Sequence, residues 1–287
     1  MNWLMLSVAF SSFVVLLFKF FSQHKVSTFY AIIVNYAVCF IIGNFFLAGR
    51  SILNFVHAPW LYWSLLLGIL FITVFNSIAW VAQKISVSAS MVAAKMSVVI
   101  PVLFAVFYLG ELVNLIKIAG ILGSLVALYF VMGQKRNQAK KTGVVLLYSV
   151  FVFVGSGVID TLMKYIQITY LHQSSADEVL TIIFGMAFIS GLIWYFLVYA
   201  KRNLSFTRRD LLGGIILGVL NYFSMYFLFR ALNQPELGAT VVFPINNIGI
   251  VLVSTLLAFA IFKENLNRKG IMGIVLAVIS ILLITRF

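Results

Sequence analysis

Ten apolar runs, each long enough to cross a lipid bilayer, fill nearly all of this chain of 287 residues. They lie near 2–21, 28–48, 59–82, 88–109, 114–132, 143–166, 177–200, 211–232, 237–262 and 267–286. A helix rises about 1.5 Å per residue, so about 20 apolar residues cross the roughly 30 Å hydrocarbon layer. The runs do not alternate apolar with polar residues, as the short strands of a membrane barrel do. Inside lipid every backbone amide needs a partner within the protein, and a run of this length and pattern meets that demand as a helix. Composition agrees: 63% of residues are hydrophobic and 9% charged, against about 45–50% and about 25% in a soluble domain. The expected fold is an all-α polytopic membrane protein with ten transmembrane helices.

The formal net charge is +13. On a soluble chain that would point to nucleic acid; here the basic residues sit between apolar runs, so no nucleic-acid partner is expected. They sort by loop parity. Odd-numbered loops and their edges carry fourteen: Lys19, Lys25, Lys84, Lys135, Arg136, Lys140, Lys141, Lys201, Arg202, Arg208, Arg209, Lys263, Arg268 and Lys269. The other side carries five: Arg50, Lys117, Lys164, Arg230 and Arg286. The positive-inside bias then places the odd loops in the cytoplasm and both termini outside. The single cysteine, Cys39, lies in an apolar run and forms no intramolecular disulfide. The first run lacks a basic leader and an A-x-A-like cleavage site, so it is expected to stay in the mature protein.

The halves echo one another. "LGIL" (Leu67 to Leu70) matches "LGVL" (Leu217 to Leu220), and "GELVNLIKIAG" (Gly110 to Gly120) matches "KENLNRKGIMG" (Lys263 to Gly273). Glu111/Glu264, Asn114/Asn267 and Gly120/Gly273 keep one constant offset, and Lys19 corresponds to Lys164. Five helices per half is an odd number, so the two repeats, 1–133 and 143–287, must sit inverted, joined by the basic loop 134–142. Inverted repeats around a midplane site are a common plan of secondary transporters.

Two stretches resemble the EamA type of the drug/metabolite transporter superfamily. They are "IPVLFAVFYLGELVNLIKIAGILGSLVALYFV" (Ile100 to Val131) and "STLLAFAIFKENLNRKGIMGIVLAVISILLI" (Ser254 to Ile284). Each gives a helix, a Glu-containing turn, a short polar link and a glycine-containing last helix. The resemblance implies a ten-helix transporter in a bacterial cytoplasmic (inner) membrane. It also implies cytoplasmic termini, opposite to the charge count, which is the more direct physical bias. Helix one reads "VAFSSF" (Val8 to Phe13) where the family often has a Trp-Gly pair.

Several polar residues need a reason to lie in lipid-length runs. Lys95 stands in "AAKMSVVIP" (Ala93 to Pro101), and a central membrane lysine costs about 2.5–3.5 kcal/mol on insertion scales. Pro101 frees a carbonyl one turn back and is a candidate hinge. Helix nine carries "FPINNIG" (Phe243 to Gly249), with Pro244 a second candidate hinge. Asn246 and Asn247 point about 100° apart, so one can line a cavity while the other bonds a neighbouring helix. In helix six, Asp160 and Lys164 are four apart on one face and can neutralise each other, or Asp160 can carry a proton. Lys19 joins them as a candidate for coupling or charge pairing. Asn35 and Tyr36, Asn76, and Asn221 with Tyr222 complete the candidate substrate-binding set. Gly155, Gly157, Gly213, Gly214 and Gly218 read as close helix contacts. Glu111 and Glu264, before helix starts, suit the helix dipole as structural residues.

His24, His57 and His172 lie near loops without a second ligand at metal spacing, and no nucleophile elbow or phosphate loop occurs. No cofactor, metal or enzymatic activity is expected. The reading is a secondary active transporter moving a small polar, anionic metabolite by alternating access. Its expected partners are that small molecule and the bilayer, and its energy comes from protons or exchange. The cavity is expected between helices one to four and six to nine. The alternatives are an exporter of amphipathic drugs or cations, and a lipid-linked flippase.

Overall fold

A computed structural model of the chain describes residues 2–47, 58–109, 114–132, 142–170, 176–199, 206–232, 239–264 and 267–286. Glu111 and the connecting loop as far as 141 lie outside them. Among the described residues the chain is helical throughout, without a strand. The helices are α1 (Asn2–Gln23), α2 (Thr28–Phe46), α3 (Leu61–Lys84), α4 (Val87–Met96), α5 (Val99–Leu109) and α6 (Leu115–Met132). They continue with α7 (Thr142–Tyr170), α8 (Ala176–Trp194), α9 (Arg208–Leu232), α10 (Ala239–Phe262) and α11 (Arg268–Arg286). A π-helical turn, Tyr195–Tyr199, extends α8. The expected fourth helix is two pieces, α4 and α5, which together form one membrane-length segment, Val87–Tyr108. Counting that segment once gives the ten rods expected from the run lengths. Their outward faces are apolar: Phe45 is 84% and Phe107 85% exposed. Side chains that large and bare have lipid as their solvent.

The chain divides into two compact units that do not follow the sequence halves. The first comprises Met1–Lys19, Ser77–Thr161 and Ser224–Phe287; the second comprises Phe20–Asn76 and Leu162–Phe223.

In the first unit α6 lies along α11, and α10 packs on both α11 and α4. Between apolar helices in lipid there is no hydrophobic force to bring them together, so close packing must do it. Glycine supplies the approach. A Cβ on Gly120 would stand 2.8 Å from Ile284 Cγ1, and one on Gly123 would meet Ser280 Oγ at 2.5 Å. Ser124 and Ser280 return their hydroxyl protons to their own helices, through Ile121 O and Leu276 O, so neither leaves a buried donor bare.

In the second unit α2 lies along α8. A Cβ on Gly68 of α3 would stand 2.6 Å from the Met186 carbonyl carbon of α8. On α9, a Cβ on Gly214 would come 2.7 Å from Ala31 O, and one on Gly218 would come 2.8 Å from Asn35 O, both on α2. Gly213 faces Phe21 and Val26 in the same way. Gly213, Gly214 and Gly218, read from sequence as helix contacts, are such contacts. At one end of this unit the buried Asp210 accepts from Ser27 N at 2.6 Å and from Thr207 N and Oγ1 at 2.8 Å each. A carboxylate in the first turn of α9 thus also meets the start of α2.

Candidate functional site

The site is built on α4, a helix of ten residues with a defined start and stop. Ser86 is its N-cap, in extended backbone (φ −166°, ψ 157°), and Ser86 Oγ accepts from Ala89 N at 3.0 Å. The Val87 amide donates to the Glu264 carboxylate, 3.1 Å from Oε1 and 3.2 Å from Oε2. Glu264 was read as a carboxylate suited to a helix dipole; the dipole it meets belongs to α4, distant in sequence. At the other end Pro101 has no amide to offer Ser97 O, which instead accepts from Ile100 N at 2.9 Å. Val98 N donates to Lys95 O at 3.4 Å, and Ser97 Oγ donates to Ala94 O at 2.5 Å. The helix is broken just before Pro101, one of the two candidate hinges. Pro244 is not: α10 runs through it from Ala239 to Phe262. It lies five residues past that helix's start and removes one bond near the first turn, where amides lack partners anyway.

Lys95 stands in the last turn of α4, where the helix terminus carries partial negative charge. It is the eighth residue past Val87, about 12 Å along the axis, which is deeper than the sequence suggested. From Val87 to Ser97 every residue is buried except Lys95, which alone keeps accessible surface. The acid whose charge acts on it is Asp160 on α7, and no ion pair at contact distance joins the two. The sequence offered Lys164 as Asp160's partner; the fold also brings the segment that carries Lys95 against α7. Gly157 of α7 lies against Ile100 just past the break, and a Cβ there would collide with that side chain. Asp160 follows Gly157 by three residues, on the same face. Asp160 is exposed. Lys164, one turn on, is half-buried.

The asparagine pair of α10 divides as its geometry implied. Asn246 is buried, and its Oδ1 accepts from Ser7 Oγ at 3.1 Å; the same hydroxyl lies 2.9 Å from Ser224 O. It ties α1, α9 and α10 together. Asn247 keeps accessible surface.

The other candidate substrate-binding residues lie in the second unit. Tyr36 Oη donates to Phe71 O at 3.0 Å, and its ring sits among Phe71, Phe75 and Phe184. Asn35 and Asn221 flank Cys39: Asn35 Oδ1 lies 3.8 Å from its sulfur, Asn221 Nδ2 donates to that sulfur at 3.8 Å, and the thiol donates to Gly218 O at 3.3 Å. Asn35 Nδ2 is buried without a partner. Asn76 Nδ2 donates to Ile72 O of its own helix at 2.7 Å, and Tyr222 stacks on Phe46.

Lys19 pairs with Glu264 at 3.6 Å. Nearby, Gln83 Nε2 donates to Phe18 O at 2.8 Å. Sequence reasoning passed over both Gln83 and this pairing. The available signals were the rarity of acids and the shared loop parity of residues 19, 83 and 264.

Residues 141–286 match the model of the EamA-like transporter family. The match covers just over half of the chain and includes the second of the two resembling stretches. An uncharacterized protein of Haemophilus influenzae is 27% identical over 220 residues, which are 76% of this chain and 72% of that one. A solved crystal structure superposes with a TM-score of 0.59 over 98% of this chain and 96% of its own, at 16% identity, and so shares the fold. The chain is an integral multi-pass membrane protein, a transporter of the drug/metabolite type, and belongs to the EamA-like transporter family.

Proposed function

We propose that the chain is a secondary active carrier, not an enzyme, that moves a small anionic metabolite by alternating access between two inverted repeats. Lys95 anchors the substrate's carboxylate or phosphate group, and Asp160 is the counter-ion that occupies Lys95 when the substrate is absent. One observation carries this reading: from Val87 to Ser97 Lys95 is the one residue that is not buried, and it stands at a helix break. A protonated Asp160 releases Lys95 to the substrate, and an ionised one competes with it, which couples proton and anion at one lysine. Broken membrane helices commonly present such ends to substrates and ions. Asn247 completes the lining from α10.

A second reading follows from Asp160, which is more accessible than Lys95: the substrate is an organic cation held by the acid. Counterflow in proteoliposomes separates the two. With Lys95→Met, exchange of an anionic metabolite should fall by about tenfold or more, because a charge left unpaired at low dielectric costs more than one ordinary hydrogen bond. Lys95→Arg, with its planar fork, should be intermediate. Normal anion exchange by Lys95→Met, with loss of cation exchange in Asp160→Asn, makes the cation reading correct.

A further inference from the structure

We propose that Lys19, Gln83 and Glu264 form a gate that closes one membrane face of the first unit, and that Glu264 also positions Lys95 through α4. The inference rests on the transporter reading above. The ends of four helices meet here. Glu264 follows α10, Lys19 lies in the penultimate turn of α1, Gln83 is the last residue but one of α3 and Val87 begins α4. All four belong to odd-numbered loops or their edges, so the alternation of spans brings them to the same face.

The contacts are polar and specific. Lys263 takes a left-handed backbone (φ 51°), and Glu264 N donates back to Ala258 O at 3.4 Å. This is the closure that ends many helices, and it fixes the direction in which the next side chain leaves. Glu264 then reaches the Val87 amide with both oxygens and Lys19 Nζ with one. Both charged side chains are largely buried, at 16% and 10% exposure. A buried pair is a poor way to gain stability compared with apolar packing, yet it makes a contact that opens or closes as a unit. The Gln83–Phe18 bond joins α3 to α1 beside it.

The lever is α4. It is short, capped by Ser86 and buried at every residue but Lys95, and a break at Ser97 and Val98 sets it off from α5. A rod held at Val87 by Glu264 carries any displacement to Lys95, about 12 Å away. Release of the pair therefore opens the face and moves the anchor in one event.

The test uses the full chain in sealed proteoliposomes, with Cys39→Ser and a single reporter, Asn247→Cys. A membrane-impermeant maleimide is added to one face at a time. In Lys19→Met and in Glu264→Gln, labelling from the face that carries residues 19 and 264 should rise about five- to tenfold, and labelling from the other face should fall. Glu264→Gln keeps an acceptor for Val87, and Lys19→Met leaves the Glu264–Val87 contact whole, so at least one of them should fold. A reagent bridging Lys19→Cys and Glu264→Cys should suppress labelling from that face until the bridge is cleaved. Labelling from that face that is the same with and without the lock, whether high or absent, overturns the gate. No substrate enters this assay, so failure of the anion reading leaves its result unchanged.

Discussion

Gly157 is the most direct test of how packing produces the site. A Cβ at this position would stand 2.7 Å from Ile100 Cβ and 2.8 Å from Ile100 Cγ1, and would overlap Cδ1. Ordinary carbon contacts lie at about 3.5–4.0 Å, so α7 must retreat from α5 by roughly 1 Å or Ile100 must leave its rotamer. Overpacking of this size costs about 1–3 kcal/mol. Gly157→Ala should therefore lower the thermal midpoint in detergent, and it should draw Asp160 away from Lys95, weakening the pH dependence of transport. The cycle with Ile100→Ala separates this mechanism from a general glycine effect. Ile100→Ala removes two of the three colliding atoms, so the double variant should be about 1 kcal/mol more stable than the sum of the single losses. Additive losses would show that the two side chains do not meet, and the account of how Asp160 reaches Lys95 would fall with them.

Three shorter tests address separate parts of the structure. Asp160→Asn should abolish proton-driven uptake yet leave counterflow exchange; unchanged uptake with unchanged pH dependence reduces Asp160 to a passive partner. Ser86→Ala removes the cap of α4 and should cost about 1 kcal/mol of stability, read as a lower thermal midpoint. A reporter fused after Phe287 should behave as outside the cytoplasm, from the fourteen-to-five division of basic residues; a cytoplasmic signal sides with the orientation that the family resemblance implies.

The all-helical membrane architecture was legible in the sequence because it depends on local quantities. Rise per residue, run length and the need to satisfy amides inside lipid allow few solutions, and each can be evaluated within some twenty residues. The contact glycines were legible for a related reason: in a chain this apolar, a small residue at a helical position has few uses besides close approach. The break at Pro101 was also local, since a missing amide acts on a carbonyl four residues back. The same local rule did not distinguish Pro101 from Pro244, because its effect depends on where the helix begins.

Partnerships were decided by the tertiary structure. Helical spacing put Lys164 beside Asp160, while the fold brings the α4–α5 segment that carries Lys95 against α7 where Gly157 meets Ile100. Lys19 belongs with Glu264, and Glu264 with the first amide of α4, across separations of 245 and 177 residues. Of the adjacent asparagines, the choice of Asn246 to bond Ser7 depends on which face of α10 meets α1. A charge buried in lipid specifies that it needs a partner, because leaving it alone is costly. It does not specify which partner, because electrostatic attraction acts through space between any two groups that packing brings close, and the packing of ten similar apolar rods is set by small steric differences spread along all of them.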